Sequence, residues 1–347
     1  TVTTFRLGLA NGLASLVVVL LAPLLGAMTD QARRRKPWLA LFTLVGVIAT
    51  MLLAAIGPGG WQLAMVCFVT ASVGFFAANS LYDAMLIDVA EPADFDRVSA
   101  FGYGLGYLGG ALLFTVSVVL LARPAAFGLA SPTAAIQLTF VLVGGWWALF
   151  SVPLLLWVRE RHGAPAPVAG AFGAGLRQLR QTVSNLRADR NLLWFLGAYW
   201  LYIDGVYTII KMAVDYGLSL GFDQSHLIKA LLLTQFVAFP AALAFGWLGG
   251  KIGARSGIFI ALAVYLAATL YAYFLQEARD FYVLAFVVGL VQGGIQSLSR
   301  SYYGRLVPPD KSSEFFGFYN MMGKASAIIG PTLVGVTAAV TGDSRLS

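Results

Sequence analysis

Gly26-Ala27-Met28-Thr29-Asp30-Gln31-Ala32-Arg33-Arg34-Arg35-Lys36 stands between two apolar stretches, residues 9 to 28 and 38 to 57. Each stretch matches the roughly 20 residues an α-helix needs to cross a hydrocarbon core. A short basic run joining two such stretches reads as two membrane spans and the loop between them. Its parts have separable physical roles. Gly26, without a Cβ, lets two helices approach closely. Asp30 is placed to sit against the positive end of a neighbouring helix. Arg33, Arg34 and Arg35 can pair with acids further along the chain, such as Asp88, Asp94 or Asp96.

The rest of the chain repeats this pattern. Of 347 residues, 59% are hydrophobic and 11% charged, and the mean hydropathy is +0.78. An ordinary soluble domain carries roughly 25% charged residues, so a soluble enzyme and a disordered protein are both excluded. Apolar stretches fall at 9–28, 38–57, 61–89, 98–122, 135–157, 192–216, 225–249, 257–275, 281–303 and 314–340, which makes ten spans. Glu91-Pro92, Arg123-Pro124 and Pro308-Pro309-Asp310 mark stops between them.

The net charge of +7 is best explained by topology, because membrane proteins gather Lys and Arg on cytoplasmic loops. If 29–37 is cytoplasmic, so are 90–97, 158–191, 250–256 and 304–313, and these loops hold 15 of the 23 basic residues. The other side holds Arg6, Arg123, Arg279 and Arg345. Both ends of the chain then lie outside. The basic excess thus points to the lipid bilayer as a partner and not to nucleic acid. Cys67 is the single cysteine, so a disulfide framework and a cysteine metal site are excluded.

The longest break, Arg159 to Arg190, opens with Gly163, Pro165, Pro167 and Gly170 and then becomes helical in pattern. Leu176, Leu179, Val183 and Leu186 recur at three- and four-residue spacing, with Arg177, Arg180 and Arg187 on other faces. This is either an amphipathic helix on the cytoplasmic headgroups or a solvated linker helix. It separates an N-terminal bundle (1–157) from a C-terminal one (192–347), with 158–191 as linker. The halves look related: a shift of 220 places Gly26 on Gly246 and Arg35 on Arg255, and a shift of 217 places Pro92 on Pro309, Phe101 on Phe318 and Gly106 on Gly323. Internal repeats of this kind characterise two-bundle transporters.

Ionisable residues inside hydrocarbon are functional candidates by default. On the sixth span Asp204, Tyr207 and Lys211 share a face, which suits a polar solute, a proton-exchanging carboxylate or an internal ion pair. Asn79, Tyr82 and Asp83 make a similar face on the third span, and Gln292, Gln296 and Arg300 on the ninth. The 217 shift brings Asp83 onto Arg300, which suggests a gate ion pair. Lys324, deep in the tenth span, either binds a solute carboxylate or pairs with Asp204.

The Gly26 to Lys36 run resembles the loop signature of the major facilitator superfamily, although Gln31 and Arg33 stand where a basic residue and Gly are more usual. In the second copy Gly253 and Arg255 persist, but Gly250 replaces the aspartate. Thr234-Gln235-Phe236-Val237-Ala238-Phe239-Pro240, Gly289 to Arg300, Glu314 to Asn320 and Gly323-Lys324 resemble the branch that holds the autophagy-related vacuolar amino-acid effluxers and their bacterial relatives. The resemblance runs from about Ala22 to Ser347. It implies an all-α membrane protein of the major facilitator fold, with two pseudo-symmetric helix bundles. The ten spans would be the second to eleventh of twelve, the first and last lying outside this chain. It also implies a gate at Gly26, Asp30, Arg33, Arg34 and Arg35, to which the repeat adds Asp83 and Arg300, and a solute cavity on the spans that carry the polar faces named above, with Lys324 a further candidate by its depth.

Three other function classes compete. An integral-membrane enzyme needs a nucleophile with a base, paired carboxylates or a metal cluster, yet His162 and His226 lie in loops on opposite sides. A channel is usually an oligomer with a pore loop or a ring of like charge. A lipid flippase on the same fold would move labelled lipid and not soluble solutes. The sequence therefore leads to a secondary transporter for a small polar metabolite, and the resemblance implies that this is an amino acid or a similar small metabolite. It would work as a monomer by alternating access, with protons as the coupling ion and no cofactor, since no phosphate-binding glycine loop occurs. Arg outnumbers Lys 17 to 6, which favours a bacterial inner membrane over a vacuole.

Overall fold

The computed structural model describes residues 2–57, 59–160, 171–186 and 190–341. His162, Gly163, Pro165, Pro167, Gly170, Arg187 and Arg345 of the sequence argument lie outside the described residues. The described chain is helical: α1 (Val2–Ala32), α2 (Lys36–Leu52), α3 (Trp61–Ala84), α4 (Leu86–Val89), α5 (Phe95–Ala122), α6 (Pro132–Trp157), α7 (Ala171–Leu186), α8 (Arg190–Ser219), α9 (Gln224–Ile252), α10 (Ala254–Ala272), α11 (Ala278–Leu306) and α12 (Ser312–Thr341). Among the described residues nine helical stretches are long and apolar enough to cross a membrane. The tenth expected stretch, 314 to 340, lies within α12, a 30-residue helix outside those nine.

Helix ends follow local chemistry. Pro132 opens α6, where its missing N–H costs nothing, and Ser131 Oγ accepts from the Ala134 amide at 3.2 Å. Asp223 caps α9, and its bonds from Ser225 hold its carboxyl below the usual carboxylate range. The end of α1 is a Schellman turn: Arg33 N donates to Asp30 O and Arg34 N to Thr29 O, both at 3.2 Å. Arg33 occupies the left-handed position of that turn, with φ 52°.

Packing divides the chain into two compact units. One holds Thr1–Val89, Leu113–Leu193 and Val307–Ala325; the other holds Ala90–Leu112, Trp194–Leu306 and Ser326–Ser347. Within each unit small residues let helices distant in sequence pack closely. In the first unit the opening turns of α12 lie on α1. A Cβ on Gly317 would stand 2.7 Å from Pro23 Cα, and one on Gly26 would stand 2.7 Å from Glu314 Cα. In the second unit α5 meets α9, where a Cβ on Gly104 would touch Leu243 and Phe239 O at 3.3 Å.

The linker helix α7 packs against α1. Among the described side chains the face it buries holds Gly175, Gln178 and Thr182, while Leu176 is 52% exposed. Gly175 sits against Met28 so closely that a Cβ there would stand 3.0 Å from Met28 Cγ.

Candidate functional site: buried polar clusters at the basic-loop ends

In the first unit the basic loop is organised around one arginine. Arg35 is 1% exposed, and a guanidinium out of water must be paired and fully hydrogen-bonded. Its Nη1 donates to Asp88 Oδ2 at 2.7 Å and its Nη2 to Asp30 Oδ1 at 3.2 Å. Nε donates to Ser313 Oγ, and Nη2 also to Ser312 Oγ. Asp30 in turn accepts from the backbone amides of Ser313, at 3.2 Å, and Glu314, at 2.8 Å. These are the free N–H groups of the first turn of α12, where a carboxylate is favoured by the helix dipole. One carboxylate thus serves both the arginine and the helix end. Arg33 and Arg34 are exposed and outside this cluster.

Further side chains extend the cluster on two sides. Glu160 Oε1 accepts from the amides of Arg35 and Lys36, the latter at 2.9 Å, and so caps α2 from the far end of the N-terminal half. Lys36 Nζ donates to Val158 O at 2.7 Å. On the other side Gln178 of α7 bonds Gln31 and donates to Glu314 Oε2 at 2.5 Å. Glu314 is fully buried.

The second unit contains the repeat of this arrangement with different chemistry. Gly246, the counterpart of Gly26, sits against Ala100, Asp96 O and Arg97 Cα on α5, and a Cβ there would stand 3.1 Å from the Asp96 oxygen. Under the 217 shift Asp96 and Arg97 correspond to Ser313 and Glu314, so each glycine meets the same turn of an equivalent helix. Gly250 supplies no carboxylate to cap α5. Instead Asp96 itself receives both nitrogens of Arg305, at 2.8 and 2.9 Å, and the Ser301 hydroxyl. Such a two-pronged pair is the strong form of an ion pair.

The in-span candidates fall into separate groups. In the first unit Asp83, 2% exposed, accepts from Asn320 Nδ2 at 3.0 Å and from Asn79 Nδ2 at 3.4 Å. Tyr82 packs on the cluster of Leu25, Leu39 and Leu81. Lys324 Nζ lies 3.1 Å from the centre of the Phe76 ring, a cation on an aromatic face. In the second unit Arg300, 4% exposed, donates from Nε to Ser99 Oγ at 2.9 Å and lies over Tyr103. Gln296 accepts from the Tyr107 hydroxyl, and Gln292 is buried one turn away. Asp204 Oδ1 accepts from Gly330 N at 3.0 Å. Tyr207 is half-buried and Lys211 exposed.

Residues 2–94 and 88–347 match the family described as "Vacuole effluxer Atg22 like". The chain belongs to this family. The Atg22-like chain is 39% identical over 347 residues to the MFS-type transporter YxiO of Bacillus subtilis, covering 99% of its own length and 80% of that protein. It is 29% identical to autophagy-related protein 22-1 of Aspergillus fumigatus over 72% of its length, spanning 44% of that longer relative. Among solved structures it matches the human organic anion transporter MFSD10 at TM-score 0.72 and 16% identity, covering 98% of this chain and 79% of that one. It matches FucP in its outward conformation at TM-score 0.72 and 12% identity, covering 99% and 85%. The Atg22-like chain therefore has the major facilitator fold and is a multi-pass membrane transporter, not an enzyme.

Sequence reasoning on the Atg22-like chain singled out Asp30 within the loop motif, and named Arg35 as one of three arginines and Asp88 as one of three acids that could pair with them. It missed Glu160, Gln178, Asn320, Ser312 and Ser313, each of which meets its partner across more than 100 residues of chain. Arg305 and Asp96 carried a signal: each lies in the repeat frame, opposite Asp88 and Ser313 under the same shift of 217.

Proposed function

We propose that this transporter moves a small polar metabolite, with amino acids the first class to test, by proton-coupled alternating access in a bacterial inner membrane. The observation that carries the reading is Asp83, a carboxylate inside a span, held by the amides of Asn79 and Asn320. A carboxylate at that depth is costly and calls for a functional reason. Exchanging a proton there would change its bonding to both amides. Asp204, on a second span, is the other candidate carrier. The resemblance to vacuolar amino-acid effluxers supports the solute class, and the 39% identity to a Bacillus subtilis protein supports the bacterial membrane.

The test is uptake of labelled amino acids by proteoliposomes with an imposed pH gradient. Concentrative uptake that collapses in Asp83→Asn or Asp204→Asn is expected. Uptake indifferent to the gradient and to both substitutions would overturn proton coupling, and movement of labelled lipid without solute flux would make the protein a flippase. Asp83 and Arg300 are the proposed gate pair. The double variant Asp83→Arg with Arg300→Asp should recover downhill solute flux lost in each single variant, though not gradient-driven accumulation, and the pairing fails if it does not.

A further inference from the structure

We propose that α7 is a sensor of anionic lipid that braces the Asp30–Arg35 cluster, whichever solute is carried. Three observations meet on this helix. Its buried face, Gly175, Gln178 and Thr182, is docked at the end of α1, which sets the helix at the level where the spans leave the hydrocarbon. Its outward side carries exposed Leu176 beside exposed Arg177 and Arg180, and residues 171 to 186 contain no acid. An apolar side chain flanked by arginines on a helix held at that depth is complementary to anionic phospholipid headgroups, with the leucine reaching the acyl boundary. From the opposite face Gln178 donates to Glu314 in the first turn of α12 at 2.5 Å, the same turn that Asp30 caps. Lipid that holds α7 down therefore also holds the Gln178 bond to α12.

Hydrogen exchange on the whole protein in nanodiscs tests this, comparing phosphatidylcholine alone with phosphatidylcholine mixed with phosphatidylglycerol. Two arginines near an anionic surface together strengthen attachment by about thirtyfold at low salt. The amides of 171–186 should exchange more slowly in the anionic discs, by up to that factor, and Arg177→Gln with Arg180→Gln should abolish the difference. Equal exchange in the two lipids, or a response that persists in the double variant, overturns the lipid assignment. The first turn of α12 should slow in parallel in the wild type but not in Gln178→Ala. If it ignores lipid in the wild type, or still follows lipid in that variant, the brace is overturned. Melting temperatures in phosphatidylcholine check that the variants fold, and Gln178→Asn replaces Gln178→Ala if it does not.

Discussion

Arg33 holds a backbone conformation, φ 52°, that costs an L-residue with a side chain about 1 kcal/mol. Arg33→Gly should raise the melting temperature, with a gain of up to about 1 kcal/mol, whereas Arg33→Ala should not; thermal unfolding in detergent separates the two. Arg35 is the opposite case, with no strain and maximal dependence on partners. Asp88→Ala leaves a buried guanidinium short of a charge and should cost about 3 kcal/mol. Asp88→Asn, which still accepts a hydrogen bond, should cost less. Arg35→Lys should resemble Asp88→Ala, since one ammonium cannot reach Asp30, Asp88, Ser312 and Ser313 together. The sequence shows that Asp30 and Arg35 are poised for such bonds, because a charge next to a span needs a partner. It does not say which of three arginines is buried, since that depends on the turn at Arg33 and on serines nearly 280 residues away.

At the level of whole helices, the contact that sets α12 against α1 is made by absent side chains. Gly26→Ala would drive a methyl group into the backbone of Ser313 and Glu314, an obstacle that cannot rotate away, so about 3 kcal/mol of overpacking is expected. Gly250→Ala, with nothing within 4 Å of its Cβ position, should be neutral or slightly stabilising, as alanine favours helix. Size-exclusion profiles after heating distinguish the pair. The existence of nearly every helix was legible, because hydrocarbon thickness imposes a length that composition reveals directly. The packing of α7 was not. Its leucine spacing points to an amphipathic or solvated helix but says nothing of the opposite face, where Gly175 and Gln178 meet Met28 and Glu314.

For the molecule as a whole, the basic loops predict orientation. Cys67 is buried and the single cysteine, so Cys67→Ala gives a background for labelling. On intact cells an impermeant maleimide should react with Phe127→Cys, exposed in the loop before α6, and reach Arg34→Cys only after lysis. The reverse pattern would invert the topology. The repeat was legible as a few aligned residues, Gly26, Arg35, Pro92, Phe101 and Gly106 with their counterparts, but its chemistry was not, because the two copies solve one problem with different residues. Asp30 lends its carboxylate to the turn that faces Gly26, whereas Asp96 carries a carboxylate on the turn that faces Gly246. The two copies thus carry their acid on opposite partners of the same contact, on the loop in the first and on the facing helix in the second. Gly250→Asp would therefore not reproduce the arrangement of the first copy. It would set two negative groups against one helix end, and only with Asp96 neutralised should the second copy accept the design of the first.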